Sequence, residues 1–187
     1  RLCIRTQVNK IMISETGLRQ PKLIILILLT AISVLSLNMF LPALAQMASS
    51  FEVSYAVISV AVGGYMVVSS ALQLIIGPLS DMYGRRPVIL AGMAIFTVAS
   101  VGCYFASNVW LFLALRMLQG AVISGMVLSR AVVRDIAPPQ EAARLLGMIG
   151  TAMALAPLMG PVLGGFLGET FGWRANFIAY AIMGALM

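Results

Sequence analysis

The sequence predicts an all-α membrane protein, a bundle of six antiparallel helices joined by short links. Three observations predict it. Of 187 residues, 61% are hydrophobic and only 10% are charged, whereas a soluble domain carries about a quarter charged residues. Five apolar runs, 23–45, 55–76, 88–106, 110–129 and 145–168, have about the 20 residues needed to cross a bilayer. These runs do not alternate polar and apolar residues, which excludes the strands of a membrane barrel. Backbone groups in lipid must bond within their own segment, so each run is a helix.

The first run follows a basic tail, 1–22, that carries Arg1, Arg5, Lys10, Arg19 and Lys22. "ALA" at 43–45 resembles a signal-peptide cleavage site. The apolar core of a signal peptide is about 7–15 residues, so this longer run reads as the first transmembrane helix. Helices 2 and 3 flank Arg85 and Arg86, and helices 4 and 5 are linked among Arg130, Arg134 and Arg144. All these cations fall on the side of the tail, while the opposite side holds Glu52, Glu169 and one cation, Arg174. The excess of positive charge places the N-terminus and the 77–87 link in the cytoplasm. A sixth run, 175–187, stops in mid-course, so the sixth helix is expected to be truncated. Met12, the first methionine, is a candidate start.

The net charge of +6 belongs to this topology rather than to nucleic acid, which needs a basic face with base-reading or stacking groups. There is no histidine, and Cys3 and Cys103 are far apart in sequence. A zinc or haem site, a disulfide and any metal or cofactor are therefore not expected. No glycine-rich Gly-Lys-Ser/Thr loop is present for ATP. No Ser–His or Cys–His pair can form, so the chain is not expected to be an enzyme.

Three motifs stand out. "GPLSDMYGRRP", 77–87, sets one acid and two arginines between glycines and prolines. Gly77 and Gly84 would permit a sharp reversal between helices 2 and 3. Asp81 can meet an arginine or a helix N-terminus, and Arg85 can pair with Asp135 at the end of helix 4. The plainer reading is a solvated turn oriented by its charge. In "RMLQG", 116–120, Arg116 lies roughly 9 Å below the outer surface. A charge there costs at least ~2.5–3.5 kcal/mol unless it faces a polar cavity or partner. Gln119 and Gly120 share its helical face. The alternative is an arginine that snorkels to the outer headgroups. In "GTAMALAPLMGPVLGG", 150–165, Gly160, Gly164 and Gly165 let helices approach closely. Pro157 and Pro161 each remove a backbone donor, so a bend is expected. Simple tight packing is the alternative.

"GPLSDMYGRRPVIL" resembles the loop 2–3 signature of the major facilitator superfamily through Gly77, Leu79, Asp81, Gly84, Arg85 and Arg86, with Met82 in place of a basic residue. "RMLQG" resembles the helix 4 signature of facilitator-type exporters, and Gly160, Pro161, Gly164 and Gly165 resemble the helix 5 antiporter signature. Together with "LNMFLPALAQM", "SRAVVRDIAP" and "FGWRANF", the chain is similar to the bicyclomycin and chloramphenicol resistance (Bcr/CflA) branch of drug:proton antiporters. The likeness runs from about Leu23 to Met187 and covers the N-terminal six-helix half of a twelve-helix protein.

The resemblance implies two inverted three-helix repeats, 23–106 and 110–187. It implies a gate at the 2–3 link, a C-terminal half as partner, and a bacterial inner membrane as location. It implies a cavity lined by helices 1, 2, 4 and 5, with Asn38, Gln73, Arg116 and Gln119 as polar groups and Tyr65 and Met66 as softer contacts. Gln73 and Tyr65 can equally be interhelical glue. The expected cargo is a small drug-like molecule exchanged for protons. One departure concerns Asn38, where that branch usually has aspartate. Asn38 lies roughly 12 Å below the outer surface, near the depth of Arg116. Asparagine can hydrogen-bond the guanidinium, but it cannot carry a proton. No acid lies within the five predicted spans, so coupling uses a carboxylate of the other half or is altered. Two rivals stay open: an importer or uniporter of metabolites, and a truncated, non-transporting fragment.

Overall fold

The computed structural model describes residues 23–187; the predicted tail, 1–22, with Cys3 and Met12, lies outside the described residues. Six helices follow one another: α1 Leu23–Ser50, α2 Tyr55–Tyr83, α3 Arg85–Phe105, α4 Val109–Ile136, α5 Pro139–Phe171 and α6 Ala175–Ala185. The first five are long and apolar enough to cross a membrane, and no strand occurs among the described residues. The protein is a multi-pass, all-α membrane protein.

Hydrophobicity marks the apolar slab but not the ends of the helices. α2 runs past the predicted 76 to Tyr83, and α5 begins at Pro139 rather than 145. The extensions carry Asp81, Glu141 and Arg144, charged residues that are compatible with helix once they stand clear of lipid. This corrects the reading of the 77–87 link. Only Gly84 separates α2 from α3, and its φ of +91° is one that glycine tolerates and L residues rarely adopt. Gly77 is an ordinary residue inside α2, and a Cβ there would meet nothing within 4 Å.

Two of the long helices are interrupted along their length. α1 is α-helical over Leu23–Asn38, passes through a 3-10 turn at Leu41–Ala43 and resumes over Leu44–Ser50. Pro42, in that turn, has no N–H to continue the ladder. α4 changes to 3-10 geometry over Gln119–Val122. α1 packs on α5, α4 packs on α2, and α3 packs on α6. Laying helices 1, 2 and 3 over 4, 5 and 6 exchanges the first two of these pairs. That is the pairing expected of two related three-helix units, and the two interrupted helices occupy equivalent places in them.

Aromatic side chains fill the half of the core nearest the α1–α2, α3–α4 and α5–α6 links. Phe112, Trp173, Phe177 and Tyr180 meet successively edge-to-face, at centroid separations of 5.4–5.9 Å, a geometry favoured by ring quadrupoles. The Trp173 indole N–H donates to Ser50 Oγ at 3.0 Å and its backbone N–H donates to Gln46 Oε1 at 3.1 Å. Arg174 donates to the Tyr104 and Ala106 carbonyls, which satisfies acceptors at the end of α3. α2 and α5 are the least covered long helices. Val67 and Leu74 on α2, and Leu158 and Val162 on α5, stand exposed.

Candidate functional site

The interruption of α1 creates the partner for Arg116. The last carbonyls of a helix have no acceptor role left within it, and Ser36 is two residues from the end of the first α1 segment. Arg116 Nη2 donates to the Ser36 carbonyl at 2.6 Å, and Nη1 donates to Gln119 Oε1 at 2.5 Å. The guanidinium carbon sits 3.9 Å from the ring centroid of Phe40 and 4.5 Å from that of Tyr65. A cation between two aromatic faces and beside a helix C-terminus is electrostatically compensated without a carboxylate. Gln119 Nε2 passes the network on to Ser100 Oγ at 2.7 Å, and Ser100 donates to the Phe96 carbonyl. The network thus joins α1, α2, α3 and α4.

Two expectations are corrected here. Arg116 and Gln119 are fully buried and stand on the wall of neither cavity described below. Asn38 is not a hydrogen-bond partner of Arg116. Its Nδ2 donates to the Val34 carbonyl of its own helix at 2.8 Å, and its Cβ faces α5. A Cβ on Gly160 would lie 2.8 Å from it. Eight residues of helix from a common surface fix the depth of a side chain but not its direction around the axis, and Asn38 points the other way.

The α5 motif explains itself at the same place. A Cβ on Gly164 would lie 1.5 Å from the Met39 carbonyl oxygen, so only glycine admits the interrupted stretch of α1. Gly165 would make only an ordinary 4.0 Å contact with Pro42. Pro157 and Pro161 lie inside the continuous α5.

Tyr65, Met66 and Gln73 do come together. They line a cavity of about 280 Å³ between α1, α2 and α4, with Ser33, Ser69 and Met126 on its walls. α5 contributes nothing to this cavity. A second, shallower recess of about 250 Å³ lies between α1 and α5, beside Gln46, Gly165 and Glu169. Ser33 also closes the α1–α4 contact. Its hydroxyl lies within bonding distance of the Leu29 and Val122 carbonyls, 2.8 and 2.7 Å away, the latter at the 3-10 stretch of α4.

At the α2–α3 corner, Arg85 Nη2 lies 2.9 Å from Asp81 Oδ1 and Nε lies 3.2 Å from Asp135 Oδ2. Nη1 donates to Ser80 Oγ, which donates in turn to the Gly77 carbonyl. One guanidinium therefore ties the end of α2, the start of α3 and the end of α4. Arg86 is exposed and joins no ion pair among the described residues.

Residues 26–187 match the sequence profile of the Major Facilitator Superfamily. The chain belongs to this superfamily. Among its relatives, this facilitator chain is 39% identical over 145 residues to the chloramphenicol resistance protein of Pseudomonas aeruginosa, covering 76% of this chain and 35% of that protein. It is 30% identical over 162 residues to multidrug resistance protein D of Escherichia coli K12, covering 86% and 41%. It is 34% identical over 149 residues to multidrug resistance protein MdtL of Shigella flexneri, covering 79% and 38%. The matched part is thus well under half the length of these relatives.

Sequence reasoning missed Ser36, Phe40 and Ser69 in this facilitator fold. Ser36 accepts at its backbone carbonyl, which no side-chain motif signals, and its hydroxyl lies 3.5 Å from Arg116 Nη1. Phe40 was legible only as an apolar residue two positions before a proline. Ser69 is four residues from Tyr65 and so on its helical face, a signal that was available.

Proposed function

We propose that this facilitator chain forms the N-terminal half of a bacterial inner-membrane transporter that exports small amphipathic compounds by proton antiport. The carrying observation is its likeness, over about four-fifths of its length, to proteins named for chloramphenicol and multidrug resistance. The cavity between α1, α2 and α4 suits such cargo, because thioethers and hydroxyls share its walls. The exposed apolar faces of α2 and α5 offer the second half its docking surface. The Asp81–Arg85–Asp135 cluster stands at the cytoplasmic end, where it latches one conformation and releases it in another. The basic side of the bundle faces the cytoplasm.

Within the described residues every carboxylate sits at a helix end or in a link: Glu52, Asp81, Asp135, Glu141 and Glu169. The proton carrier is accordingly assigned to the remainder of the protein. Accumulation of radiolabelled chloramphenicol in cells producing the full-length transporter tests the export reading. Lower accumulation than in cells lacking the gene is expected, and equal accumulation would overturn the reading.

A further inference from the structure

Arg130 is the second arginine within the length of α4, and it is partnered differently from Arg116. It is half-buried, and its one polar contact among the described residues is the Met153 thioether on α5. A guanidinium offers five N–H donors, and a thioether sulfur is a weak acceptor. Arg116, by contrast, is held by a carbonyl, an amide and two aromatic faces. Neither carboxylate near the α4–α5 link serves Arg130. Asp135 pairs with Arg85, and Glu141 joins no ion pair among the described residues.

Helix direction carries this charge away from the link. Arg130 stands six residues, about 9 Å, from the end of α4 at Ile136. Cα–Cβ bonds tilt toward a helix N-terminus, and the N-terminus of α4 is its far end, so the side chain leans toward the middle of the bundle. On antiparallel α5 the same tilt brings Met153 to meet it, from fourteen residues, about 21 Å, beyond Pro139. The guanidinium therefore does not snorkel back to the link end, where headgroups would reach it. It lines neither of the two cavities described above. Arg134, one turn on and on the same helical face, is exposed and adds a second positive charge with no ion pair among the described residues.

A charge at that depth normally has a partner, and a carboxylate is the group that a planar guanidinium matches best. The chain spans 35% and 41% of the length of two relatives, so most of such a protein lies outside it. Leu155 and Leu158 leave the neighbouring face of α5 exposed and apolar, which is surface for that remainder to cover. We propose that Arg130 is a docking cation that takes a carboxylate side chain from the part of the protein that follows Met187, seated beside α5. This rests on the reading above that the chain is half of a longer transporter.

Melting of the purified full-length transporter in detergent tests the pair. Arg130→Met should lower the melting temperature, because it leaves a buried carboxylate alone. Removing an arginine that had no partner should instead raise it, so a rise or no change overturns the pair. Arg130→Glu should lower it further by setting two like charges together. In the Arg130→Glu background, each Asp and Glu beyond Met187 is then replaced by Arg in turn, and one of these changes should recover most of the loss. Recovery by none of them, or by reversal of Glu15 in the tail, overturns the assignment. A lipid phosphate is tested separately. Phosphatidylglycerol added to the detergent should affect the parent and Arg130→Met alike, and stabilisation of the parent alone would overturn the carboxylate. None of these readouts needs transport. Recovery in a protein that exports no chloramphenicol leaves the pair standing and removes the export reading, whereas export without recovery removes the pair alone.

Discussion

Arg116 on α4 holds the end of the first segment of α1 by donating to the Ser36 carbonyl at 2.6 Å. A charge in a membrane span is costly unless it finds a partner, and here the partner is made by breaking a helix. The interruption at Met39–Phe40 leaves the carbonyl free, and the guanidinium takes it. Arg116→Lys keeps the charge but cannot serve Ser36 and Gln119 with two nitrogens of one planar group. It should cost about 1.5–3 kcal/mol, the worth of one charge-assisted bond, and Arg116→Ala should cost more. Melting of the purified variants in detergent measures both.

Asn38 engages Val34 and abuts Gly160, while Arg116 is occupied elsewhere. Asn38→Asp should therefore leave the pH dependence of transport unchanged in the full-length protein, although the branch that the chain resembles usually has aspartate here. Flux assayed at several external pH values checks this. An increase in proton-driven efflux would mean that Arg116 leaves Ser36 during the cycle to meet position 38.

Gly164 and Gly165 should behave differently despite sharing a motif. Gly164→Ala drives a methyl into the Met39 carbonyl, which lies 1.5 Å from the position of the new carbon. Backbone cannot swing aside as a flexible side chain can, so the cost should reach or pass the ~3 kcal/mol end of overpacking. Gly165→Ala finds room and should be neutral, or stabilising by up to ~1 kcal/mol through helix propensity. Membrane yield and melting temperature distinguish the two.

The Arg85 cluster should matter to motion more than to stability. Asp135 is about half exposed, and exposed ion pairs contribute about 0.2–1 kcal/mol. A double-mutant cycle on Arg85→Ala and Asp135→Asn should return a coupling in that range, with transport slowed more than the stability loss explains. A coupling above about 2 kcal/mol with normal transport would make the cluster a static brace.

The membrane spans and the Arg85–Asp135 pairing were legible in the sequence, because apolar length and ordered charges report topology directly. The break in α1 was only half legible. Pro42 was visible, but its effect on Ser36 depends on where α4 lies, and that is set by long-range packing such as the Ser33–Val122 contact. Asn38 was misdirected for a related reason: depth along a helix is linear in sequence, whereas facing depends on the path after each interruption. Ser69 shared the face of Tyr65 and could have been found by spacing alone.

The central claim, that the complete protein exchanges drug-like compounds for protons, is tested most directly in everted membrane vesicles containing the full-length transporter. With a proton gradient in place, inside acid, the vesicles should take up radiolabelled chloramphenicol, and adding the drug should partly dissipate the gradient. Uptake that persists after an uncoupler collapses the gradient, or no uptake at all, would contradict the account.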